Sequence, residues 1–127
     1  MSGTRLGLFS LRADAIYCVL LGLILVALAR LAANPVGLPY ALLLAIGLTT
    51  MVWGGFVWWA GSRRPLRWTL RLVMAANIVA SAALVLTGAT AGILLLSIAA
   101  VVLSVDIGAF AAAQGIALRR MRPAAER

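Results

Sequence analysis

The sequence predicts an all-α membrane protein, an antiparallel up-down bundle of four transmembrane helices. Three observations carry that prediction. Of 127 residues, 65% are apolar, and mean hydropathy is +1.10, which leaves too little polar surface to cover a water-soluble globule. The apolar residues fall into four runs, each near the roughly 20 residues that a helix needs to cross a bilayer. All eleven basic residues are Arg, and most flank alternate runs. Arg5 and Arg12 precede the first, Arg63, Arg64 and Arg67 separate the second from the third, and Arg119, Arg120, Arg122 and Arg127 follow the fourth. The connections at 34–37 and 88–90 carry no charge. Cytoplasmic loops are enriched in Arg and Lys, so four membrane crossings with both termini in the cytoplasm are expected.

The first span is expected over residues 13–33. Its start resembles a secretory signal, because Arg5 and Arg12 precede an apolar run containing Ala27-Leu28-Ala29. The run is long for a signal and Asp14 is unusual at its start, so an uncleaved helix is preferred. Tyr17 stands where lipid attachment at Cys18 needs a small residue. Asp14, Cys18, Gly22 and Leu25 recur at three- and four-residue steps and predict the inward face. Ile16, Leu20, Leu23 and Ala27 predict the lipid face.

Pro35 and Pro39 are expected to end the first helix and open the second, over residues 38–60. Gly47, Thr50, Gly54, Trp58 and Gly61 form its contact stripe. Trp58, Trp59 and Trp68 mark the cytoplasmic interface and Tyr40 the outer one, while Trp53 lies deeper as a packing residue. The third and fourth spans are expected over 68–87 and 91–117. The 88–90 connection, read as a C-cap and helix restart, is so short that these helices must be antiparallel neighbours. Ala99, Asp106, Ala109 and Ala113 predict the contact face of the fourth helix. One transmembrane domain, residues 1–127, takes up the chain.

Chemistry-bearing residues are few. One cysteine excludes an internal disulfide, and the lack of His and Lys removes the commonest general base, metal ligand and Schiff-base former. The acids are Asp14, Asp106 and Glu126. No catalytic residue, cofactor site or metal site is expected. In a soluble protein a net charge of +8 suggests nucleic acid. Here the charge flanks apolar spans, so Arg63, Arg64, Arg67, Arg119, Arg120 and Arg122 are expected to contact anionic lipid headgroups.

Two polar groupings are expected within the bilayer. Counting from the estimated helix ends at about 1.5 Å per residue, Asp106 and Asn77 both lie near the midplane, roughly 15 and 13 Å deep. They are expected to pair, with Ser81 one turn along. Such a pair either holds helices together as a hydrogen-bonding device or serves as a proton or cation site. Asp14 and Arg71 share a shallower depth and are expected to form an ion-paired clamp with Gln114 nearby, the alternative being that each reaches the headgroups alone. Arg30, near the outer end of the first span, reaches water or lipid phosphate; recognition of an external anion is the alternative.

Several short motifs point to a family. These are Leu11-Arg12-Ala13-Asp14-Ala15, Gly37-Leu38-Pro39, Ala75-Ala76-Asn77, Thr90-Ala91-Gly92, and Gln114 followed by Leu118-Arg119-Arg120. With them the chain resembles a group of small, functionally uncharacterised four-helix integral membrane proteins of actinobacteria. It departs from that group at Ala80 and Ala83, where Trp and Asp are common. The resemblance implies a bacterial cell (inner) membrane as the location and no reaction or substrate, but it favours Asp14, Asn77 and Gln114 over Asp106 as a shared constellation.

The functional expectation is a non-enzymatic accessory, scaffold or regulatory subunit that binds another membrane protein or itself. A small proton- or cation-coupled transporter or channel subunit, acting as an oligomer, is the alternative.

Overall fold

The computed structural model describes residues 2–121. Four helices succeed one another: α1 (Gly3–Val36), α2 (Tyr40–Arg63), α3 (Leu66–Thr90) and α4 (Leu94–Arg120). Each is long and apolar enough to cross a membrane. Their outward faces are aliphatic, with Leu31 and Leu94 76% exposed and Val52 73%. Leaving a side chain of that size in water forgoes about 1.5–3 kcal/mol, a penalty that lipid removes. The chain is a multi-pass membrane protein.

Helix α1 starts ten residues before the expected span. Ser2 caps it, its Oγ accepting the Arg5 N–H at 3.2 Å. The early turns then pack on the Arg-rich ends of the other helices: Gly3 lies against Arg120 and Met121, and Gly7 against Leu70 and Ala117. Pro35 does not end α1 but sits in its last turn. The stop is Gly37, at φ 70°, whose N–H bonds the Asn34 carbonyl while the Leu38 N–H reaches back to Ala33. That left-handed cap satisfies carbonyls the helix leaves open. At the other uncharged turn α3 runs on through the expected 88–90 connection. Gly92, at φ 70°, makes the reversal instead, and Gly88 packs against Ser97 and Val101 of α4.

Close backbone approach joins α1 to α2. A Cβ on Gly22 would lie 2.5 Å from the Gly47 carbonyl oxygen, and one on Gly54 2.8 Å from that of Ala15. In lipid, where apolar surface gives helices little reason to associate, small residues of this kind permit the contact. The expected inward face of α1 is buried at Asp14, Cys18 and Gly22, and the expected lipid face is exposed at Ile16, Leu20, Leu23 and Ala27. On α4 the expectation fails. Ala100, Ser104, Ala111 and Gln114 face inward, whereas Ala109 is exposed and Asp106 half-buried on another side. An Ala-rich helix that is apolar all round offers no contrast from which to read its rotation.

The two hairpins, α1–α2 and α3–α4, meet mainly through α1 and α4. Near the Arg-rich end all four helices contribute to one core of Leu11, Ala15, Val57, Leu70, Val73 and Ala117. There α3 also touches α2 directly, the Thr69 hydroxyl donating to the Ala60 carbonyl at 3.2 Å. Beyond that point α2 and α3 part. They leave a seam of about 300 Å³ walled by Thr49, Thr50, Trp53, Ala76 and Ala80, with Cys18, Asn77 and Ile107 at its base.

Candidate functional site

Asp14, only 1% exposed, is the hub of a buried polar network. The eleven residues of α1 that precede it set it about 16 Å inside the helix end. Its Oδ2 accepts from Asn77 Nδ2 at 2.7 Å and from Gln114 Nε2 at 3.0 Å. Asn77 Nδ2 donates its other proton to Gln114 Oε1 at 3.2 Å, closing a triangle across α1, α3 and α4. The Cys18 thiol, one turn along α1, donates to Asp14 Oδ1 at 3.4 Å. Among the described residues no buried side-chain nitrogen or oxygen lacks a partner. A closed network of this kind fixes the rotation of three helices, because turning any of them strands a polar group in an apolar interior.

Arg71 takes no part in it. Its side chain is exposed, and Asp14 is surrounded by amides and a thiol instead of a guanidinium. The expected clamp thus keeps Asp14 and Gln114, gains Asn77 and loses Arg71. The error lay in the start of α1: with ten more residues of helix, Asp14 is too deep for a residue near the start of α3.

The expected Asn77–Asp106 pair is absent as well. Asp106 lies fourteen residues from the Arg-rich end of α4 and Asn77 eleven from that of α3, an offset of about one helical turn. They also face different ways. Ser81 joins neither residue but crosses to Ser104, each hydroxyl donating to the other's carbonyl at 3.0 and 3.1 Å. Asp106 instead accepts a 2.8 Å hydrogen bond on Oδ2 from the Tyr17 hydroxyl of α1. Tyr17 packs edge-on against Phe110 at 5.4 Å between ring centroids. These residues close one end of a groove of about 440 Å³ between α1 and α4, which opens sideways through the apolar surface.

The Arg-rich end presents exposed Arg63, Arg64, Arg119 and Arg120, with Arg67 partly covered. Arg67 donates to the Met121 carbonyl at 2.8 Å and so caps α4. Arg12 stacks over Trp58 and Arg64 over Trp59, each 5.5 Å from the ring centre, while Arg30 lies over Tyr40 at the opposite end. Flat cations held on interfacial aromatics are suited to lipid phosphates. Arg122 lies outside the described residues.

Sequence reasoning missed Tyr17, Ser104 and the role of Cys18. Cys18 and Asp14 are four apart, a spacing that signals their contact. Tyr17 had a weaker signal, a phenol inside an apolar span that must find a hydrogen-bond partner. Ser104 had none beyond its hydroxyl. Chemically the two carboxyls differ: Asp14 is sealed and fully engaged, whereas Asp106 has one oxygen bound and a groove beside it. Comparison with protein-family models, with curated proteins and with solved structures finds no match to this chain.

Proposed function

We propose that this protein is a non-enzymatic accessory, scaffold or regulatory subunit of a bacterial cell (inner) membrane, with its Arg-rich end and both termini in the cytoplasm. The seam between α2 and α3 carries the reading. A four-helix bundle that stood alone would close its fourth side, whereas here α2 and α3 part above Thr69 and expose Thr49, Thr50, Ala76 and Ala80 along a shallow apolar cleft. Small and hydroxyl-bearing side chains suit the approach of another transmembrane helix. The sealed Asp14 network beneath supports a static role, since every polar group in it is engaged. The exposed arginines contact anionic headgroups and hold that end at the membrane surface.

A photo-crosslinking amino acid at Thr50 or Ala80 tests the reading in intact cells. A discrete protein adduct from both positions, absent from the lipid-facing controls Leu31 and Val105, is expected. Lipid adducts alone from all four positions would remove the partner. The second reading, a small proton- or cation-coupled transporter acting as an oligomer, is favoured by Asp106, a carboxyl deep in its helix beside a groove. A pH-driven flux in liposomes that Asp106→Asn abolishes, without loss of fold, would replace the first reading with this one.

A further inference from the structure

We propose that the groove between α1 and α4 is a binding site for a bulky organic cation, one whose charge is enclosed in or spread over an apolar body, with Asp106 as its counter-charge. The site lies on a different flank from the α2–α3 seam and does not depend on a partner protein.

Size and shape come first. At about 440 Å³ the groove falls within the range of small-molecule sites, roughly 300–1,000 Å³. Its lining on α1 extends from Leu6 to Tyr17, about 16 Å of helix, against a bilayer core of about 30 Å. That length seats a small molecule. Ala13 and Ala113 leave the depth, and Phe9 and Phe110 supply flat apolar walls.

Polarity selects the ligand. Asp106 is the one carboxyl in the lining, fourteen residues from one end of α4 and twelve from the other. Tyr17 engages Oδ2, and no described residue bonds Oδ1. An intramembrane carboxyl in this position needs a partner, and no arginine among the described residues supplies one. A compact cation would have to shed its water for a single carboxylate, at a cost one oxygen pair does not offset. An ion with diffuse, already weakly hydrated charge loses little, and the faces of Phe110 and Tyr17 add cation–π attraction. Such ions also partition into the bilayer, onto which the groove opens.

Tetraphenylphosphonium is the probe, titrated by equilibrium dialysis against the full chain in phosphatidylcholine nanodiscs with empty nanodiscs as reference. Saturable binding of about one ion per chain above the reference is expected. Asp106→Asn should weaken it about tenfold or more, and Asp106→Glu should retain most of it. Neutral triphenylphosphine oxide should not compete. Asp106→Asn is close in shape and can still accept from Tyr17, so the fold should survive; if it does not, Ala113→Leu, which fills the groove and spares the carboxyl, must still lower affinity about tenfold. No saturable binding, undiminished binding in Asp106→Asn or Ala113→Leu, or equal competition by the neutral analogue would each overturn the proposal. The last outcome would make the groove a slot for neutral lipid.

Discussion

Replacing Asp14 with leucine tests whether the buried network holds the bundle together. Leucine keeps the branching of aspartate but puts larger methyls where the oxygens were, so the change removes hydrogen bonds and also crowds a sealed site. Gln114 Nε2 loses its acceptor at 3.0 Å and becomes a donor buried in an apolar interior, a loss of about 1–3 kcal/mol. Asn77 Nδ2 loses the 2.7 Å bond but keeps Gln114 Oε1, a smaller loss of about 0.6 kcal/mol by the average for bonds between membrane helices. Added apolar contact by leucine offsets part of this, so a net destabilisation of roughly 2 kcal/mol is expected. Unfolding by added SDS in mixed micelles, followed by the fluorescence of the four Trp residues, measures it. Removing Gln114 as well would strand Asn77 Nδ2, whose acceptors are Asp14 and Gln114, so the variant that clears every stranded amide is Asp14→Leu with Asn77→Leu and Gln114→Leu. Its cost should fall short of the sum of the three single variants by about 1 kcal/mol. A loss below about 0.5 kcal/mol for Asp14→Leu, or strict additivity in the triple variant, would refute the argument.

Other expectations follow from the same geometry. Arg71→Gln should change stability by no more than about 0.5 kcal/mol, because the side chain is exposed and has no part in the network; a larger effect in the same assay would restore the ion-paired clamp. Gly22→Ala should destabilise by about 1–3 kcal/mol, since its Cβ meets the Gly47 backbone oxygen at 2.5 Å. Gly55→Ala, with nothing within 4 Å, should be neutral or stabilise by up to about 1 kcal/mol, and equal effects at the two sites would remove the close α1–α2 contact. For orientation, reporter fusions at Arg64 should behave as cytoplasmic and those at Gly37 and Thr90 as external, and a cytoplasmic report at Gly37 would invert or break the topology.

How much of this was legible depended on whether a property varies along the chain or around it. Hydropathy and the Arg clusters vary along it, and they disclose four helices and an up-down order. The inward face of α1 was readable because Asp14, Cys18 and Gly22 contrast with Ile16, Leu20 and Leu23. The first turns of α1 were not, since residues 3–12 are helical for reasons no hydropathy pattern records: a serine cap and contacts with the distant Leu70, Ala117 and Arg120. That early start moved Asp14 inward by several turns and replaced Arg71 with Asn77 as its partner. Rotation of α4 was equally hidden, because a helix lined with Ala, Val and Leu on every side satisfies lipid and core alike. The polar residues decide it, and a polar residue reveals its direction only once its partner is known.

That dependence separates the fates of the two aspartates. Asp14 occurs where three helices converge, and each supplies a donor, Cys18, Asn77 or Gln114, so its carboxyl is consumed in holding the bundle. Asp106 lies about a turn further from the Arg-rich end, on the side of α4 that meets only α1. One helix can supply one donor, Tyr17, and the remaining oxygen is left to the groove. A bundle built only for stability would place Ala or Leu there, since a carboxyl at that depth is expensive and a single phenol compensates it incompletely. The bundle seals Asp14 and covers Asp106 only in part, so architecture is to be sought at the first carboxyl and binding at the second.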